Sequence, residues 1–98
     1  MKKQIYLIDV IANNKFNTTT NDYDYSLGEV INHYEVKTRH PYLKLKHIIK
    51  QNQNNNLVYS IMIRLKTSYH SIELLHKDNS FTTNNRFTIK QSLKALFN

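Results

Sequence analysis

Between Leu57 and Lys66 the chain alternates. Leu57, Tyr59, Ile61, Ile63 and Leu65 are apolar, while Ser60, Met62, Arg64 and Lys66 interleave with them. A period of two is the mark of a half-buried strand, with the first set turned inward and the second mostly outward. One such strand commits its surroundings to a sheet with an apolar side that something must cover.

Neighbouring segments supply the rest of that sheet. Tyr69 to His76 reads as the antiparallel partner, with Ile72 and Leu74 inward and the turn near Thr67-Ser68. A short strand around Phe81 to Thr83 completes a meander. Gln4 to Ile11 is apolar on both faces: Ile5, Leu7 and Ile11 on one, Tyr6, Ile8 and Val10 on the other. That pattern fits a central strand covered on both sides. Asp9 interrupts it, so it either ends the strand or pairs with a cation.

Helical spacing appears in three places. Ser26 to Tyr34 carries Leu27, Val30, Ile31 and Tyr34 on one face, with Ser26 and Glu29 spaced as a capping box. Pro41 suits the first turn of a second helix, in which Tyr42, Leu45, Ile48, Ile49 and Asn52 share a face. A strand over Tyr42 to Ile49 is the competing reading, because Leu43 and Leu45 alternate with Lys44 and Lys46. Gln51 to Asn56 reads as a loop. The end of the chain, Arg86 to Asn98, reads as a helix that Thr88 and Gln91 can cap, with Ile89, Leu93, Leu96 and Phe97 as its buried stripe and Lys90 and Lys94 in water. The alternative there is a tight hairpin turn at Asn84-Asn85 with Arg86 to Thr88 still in a strand. Ala12 to Tyr25 is left as a long polar loop, or a hairpin the pattern does not resolve.

The expected fold is therefore α+β: a mostly antiparallel sheet of three to four strands with two to three helices packed on it. Residues 1–98 form a single small basic domain in this reading. With only one Gly and one Pro, the turns fall to Asn, Asp, Ser and Thr.

Composition narrows the function classes. The absence of Cys removes disulfides, thiolate metal sites and a Cys nucleophile. No apolar run approaches the roughly 20 residues of a membrane span. The basic, apolar start is broken by Asp9 and followed by no small-residue cleavage site, so it reads as a strand and not a signal peptide. The expected location is the cytoplasm. Heavy use of Lys, Asn, Ile and Tyr suggests an AT-rich genome, such as that of a low-GC bacterium, one of its phages or a mobile element.

The charge is segregated along the chain. Residues 1–35 carry a net −2 and residues 36–98 a net +9, within a total of +7. Lys37, Arg39, His40, Tyr42, Lys44, Lys46, His47 and Lys50 fall within fourteen residues, and no acid lies between Glu35 and Glu73. Cations neutralise phosphates and release counterions, and aromatic faces stack on unpaired bases. Arg64 and Lys66 on the outer strand face could extend the patch. Asp22, Tyr23, Asp24 and Tyr25 form a second candidate surface, an interface loop.

Catalytic signatures are missing. The five histidines form no HxH or HxxxH pair, and His70 and His76 on one strand would stand about 20 Å apart. No metal site, cofactor site or nucleophile elbow is read. The expectation is a noncatalytic binding module that meets nucleic acid or a nucleoprotein through a basic face, as a phage or mobile-element regulator. One alternative is a stoichiometric inhibitor of a host nucleic-acid enzyme, of the anti-restriction or anti-CRISPR kind. Another is a small metal-dependent nuclease using Asp22 and Asp24 with a His.

Overall fold

The computed structural model describes residues 3–12, 16–17, 22–23, 29–83 and 86–96. Its strands are β1 (Gln4–Ala12), β2 (Phe16–Asn17), β3 (Asp22–Tyr23), β4 (Val30–Thr38), β5 (Val58–Leu65), β6 (Ser71–Lys77) and β7 (Ser80–Thr83). Its helices are α1 (Pro41–Asn52) and α2 (Ile89–Ala95). The architecture is α+β. Five strands form one antiparallel sheet in the order β4-β1-β5-β6-β7, and β2 pairs with β3 in a separate two-stranded ribbon.

The fifth strand of the sheet is β4, where helical spacing had pointed to a helix over Ser26 to Tyr34. Of that segment Ser26 and Leu27 lie outside the described residues, and Val30 to Tyr34 is strand. The misleading pattern has a physical source. Val10 stands opposite Asn32 but Ile11 stands opposite Val30, so Ile31 is an extra residue. A bulge of this kind breaks the period of two. Val30 and Ile31 then read as neighbours on a helix face, although Ile31 packs on the core and Val30 is exposed.

A second bulge lies on the other flank of β1. Ile11 is opposite Ser60 and Ala12 is opposite Val58, which leaves Tyr59 unmatched. One extra residue reverses the facing of everything beyond it. Hence Ile61, Ile63 and Leu65 are buried as the alternation predicts, but the next inward residue is Val58. Leu57 and Tyr59, expected inside, are exposed; Ser60 keeps the outer facing expected of it, paired with Ile11, yet is buried there.

β1 is flanked by β4 and β5, as a doubly apolar strand requires. Its two sides are nonetheless unequal. Tyr6, Ile8, Val10 and Ala12 are buried against the helical layer, while Ile5, Leu7 and Ile11 on the second face are only half-buried. Among the described residues no helix covers that second face. Asp9 stands there in mid-strand, and its carboxylate Oδ1 lies 2.5 Å from Nδ1 of His33 on β4.

Both helices lie on the first face. α1 buries Leu45, Ile48 and Asn52. This is the helical face expected of Tyr42 to Asn52, and it settles the choice against a strand. The helix continues to Asn52, two residues into the expected Gln51–Asn56 loop. α2 is held by the expected capping box: Thr88 Oγ1 accepts from Gln91 N–H, and the Gln91 side chain accepts from Thr88 N–H. Leu93 and Leu96 enter the core; Phe97 and Asn84-Asn85 lie outside the described residues.

The core joins Tyr6, Ile8 and Val10 to Ile61, Ile63, Leu74, Phe81 and the helix residues. The β6–β7 turn uses Asp78 and Asn79 at φ 54° and 62°, the left-handed region that Asp and Asn tolerate best after Gly. A chain with one Gly, placed elsewhere, has made this two-residue hairpin turn without it.

Candidate nucleic-acid interface

The site begins where β4 ends. Thr38 is buried, and its Oγ1 accepts from His40 N–H at 2.9 Å. That bond turns the chain out of the sheet. Pro41 at the first helical position then starts α1 and biases His40 away from helical geometry. Arg39 and His40 are left exposed at the corner.

α1 has no side-chain cap and no acid in its first turn. Its buried stripe leaves the opposite side to Leu43, Lys46, His47 and Lys50, which recur at spacings of three and four and are all exposed. Leu43, at 63 % exposure, is an apolar residue set among these cations. Gln51 Nε2 lies 3.3 Å from His47 Nε2, one turn on. Lys44 is exposed on the flank.

α2 packs against α1 and adds Lys90 and Lys94. Between the start of α1 and α2 lies a cleft of about 360 Å³. Pro41, Tyr42, Leu43 and Leu93 form its apolar walls; Arg39, His40, Lys90 and Lys94 stand around it. Lys90 Nζ sits 5.7 Å from the centroid of the Tyr42 ring, within cation–π range. Neither helix contains an Asp or Glu. Among the described residues, neither ion pair involves a helix cation.

The other expected contact residues separate from this group. Lys37 points with Ile5 to the second face of the sheet. Lys66 is there too, with Nζ 3.0 Å from Glu35 Oε1. Arg64 Nη1 donates to the carbonyls of Leu65, Lys66 and Ser68 at 3.3, 3.5 and 3.2 Å, which ties down the β5–β6 turn. The sheet therefore stands between these three cations and those of α1. Arg64 and Lys66 do not extend the helical patch as the sequence had suggested.

The acidic loop is partly placed. Asp22 and Tyr23 form β3, with Tyr23 opposite Phe16 and Asp22 opposite Asn17; Asp24 and Tyr25 lie outside the described residues. The described residues contain no group of three or more His, Asp or Glu able to hold a metal ion. No helix among them is long and apolar enough to cross a membrane.

Sequence reasoning passed over Lys90 and Lys94, which it read as ordinary water-facing helix residues. A signal was available: no acid follows Asp78, so the last helix continues the acid-free character of α1. Comparison with protein-family models, curated proteins and solved structures finds no match.

Proposed function

We propose that the protein is a noncatalytic module that binds nucleic acid through its helical layer. The observation that carries this reading is the division of charge between layers. α1, α2 and the corner before α1 present Arg39, Lys44, Lys46, Lys50, Lys90 and Lys94 without one carboxylate. On the second face the acids Asp9 and Glu35 are present, the first in contact with His33 and the second with Lys66. Cations held together with no carboxylate partner among the described residues meet phosphates at little cost, because no ion pair there has to break.

The test is a titration of a labelled oligonucleotide at several salt concentrations. Lys46→Glu with Lys50→Glu should weaken binding at least about tenfold and flatten the salt dependence, since each lost phosphate contact lowers the log–log slope by about 0.7 to 0.9. Lys37→Glu, on the second face, should change neither. Equal losses from the two variants, or no oligonucleotide binding by the wild-type protein, would overturn the reading. The latter result would favour an inhibitor that grips the protein part of its target.

A further inference from the structure

We propose that the cleft between the start of α1 and α2 receives one unpaired nucleotide, so that the helical layer selects single-stranded nucleic acid over duplex. This rests on the nucleic-acid reading and names the ligand of that same surface. A purely electrostatic footprint needs only exposed cations. Here the cations share with Pro41, Tyr42, Leu43 and Leu93 the lining of one recess of about 360 Å³, within the range of small-ligand sites.

The recess and its rim match the two halves of a nucleotide. A base offers flat apolar faces that pack on aromatic and aliphatic side chains, and its phosphate calls for cations at the edge. Lys90 Nζ sits over the Tyr42 ring, 5.7 Å from its centroid, so a base entering the cleft would displace or flank this cation and bring its phosphate to it. Arg39 and Lys94 supply charge elsewhere on the rim. From the cleft mouth at Leu43 the outer stripe of α1 continues through Lys46 and Lys50, a path for the neighbouring phosphates. In a duplex the base faces are stacked and only their edges are offered, so the recess would stay unfilled.

The experiment compares three labelled probes by fluorescence anisotropy: a twelve-residue oligothymidylate, a backbone of equal length and charge without bases, and a twelve-base-pair duplex. The oligothymidylate should bind at least about tenfold more tightly than the abasic strand, as expected for a base stacked on protein. It should likewise outbind the duplex. Leu43 is exposed, so Leu43→Ser leaves the core intact. It should lower affinity for oligothymidylate several-fold while leaving the abasic strand unchanged. Equal affinity for oligothymidylate and abasic strand, or undiminished discrimination by Leu43→Ser, would overturn the nucleotide cleft while leaving the basic layer as a binding surface. Failure of all three probes to bind would overturn the nucleic-acid reading itself.

Discussion

Asp9 and His33 face each other across β1 and β4, 2.5 Å apart from Oδ1 to Nδ1, at the only charged position in β1. An acid in mid-strand is explained by its neighbour and not by a strand end. The pair lies on the face away from the helices, and both side chains remain partly in water. Its stabilisation is accordingly modest. A double-mutant cycle with Asp9→Ala and His33→Ala should give a coupling below about 1 kcal/mol, as measured by urea unfolding. A coupling of several kcal/mol would mean that the pair is far more shielded than its exposure shows.

The bulge at Tyr59 makes a prediction that plain alternation would reverse. Ile61 is fully buried, so Ile61→Ala should cost about 2–5 kcal/mol. Tyr59→Ala and Leu57→Ala, at exposed positions, should each cost less than about 1 kcal/mol. Comparable losses at all three positions would restore the uninterrupted strand.

Tyr6 ties stability to high pH. Burial pushes its phenol above the ordinary value of 10.0, because the charged form is desolvated in the core. The folded state therefore resists an ionisation that the unfolded state allows. The stabilisation is full below pH 10 and is lost as pH rises from there through the folded value. Wild type should lose stability above pH 10 more steeply than Tyr6→Phe, by up to about 1.4 kcal/mol per pH unit. Parallel profiles in chemical denaturation would remove Tyr6 as the cause.

Ser92 is buried on α2 with no hydrogen-bond partner for its hydroxyl among the described residues. Ser92→Ala removes that unmet group and installs a better helix former. A gain of about 0.5–1 kcal/mol is expected, seen as a higher unfolding midpoint. Since α2 forms one wall of the cleft, oligonucleotide affinity should hold or rise; a loss of stability would show that the hydroxyl has an acceptor.

The parts of the fold that were legible in the sequence are those where local pattern and tertiary role agree. Ile61, Ile63 and Leu65 kept strict alternation, Leu45 and Ile48 kept helical spacing, and Thr88 with Gln91 wrote out a capping box. What was not legible traces to the bulges beside β1. Ile31 shifted β4 into a helix-like pattern, and Tyr59 turned Leu57 outward. A bulge is fixed by the pairing with the neighbouring strand, so in the sequence of its own strand it shows only as a broken period, which a helix or a loop could equally produce. The site was half legible. The run of cations around Arg39 to Lys50 was plain, but only the packing of α2 on α1 could add Lys90 and Lys94. Only the twist of the chain out of Thr38 could put Lys37 on the opposite side from Lys46.

Cations lie on both faces, but only the helical layer carries them without acids. Among the described residues Asp9, Glu35 and Glu73 lie on the five-stranded sheet, and this unequal sharing of charge gives the molecule an electric dipole with the helices as its positive pole. In the field of any polyanion such a body feels a torque before it feels a contact. It would arrive already turned, helices foremost, and a larger fraction of its collisions would be productive. Added salt would then act first on how often encounters succeed, and only afterwards on how long they last.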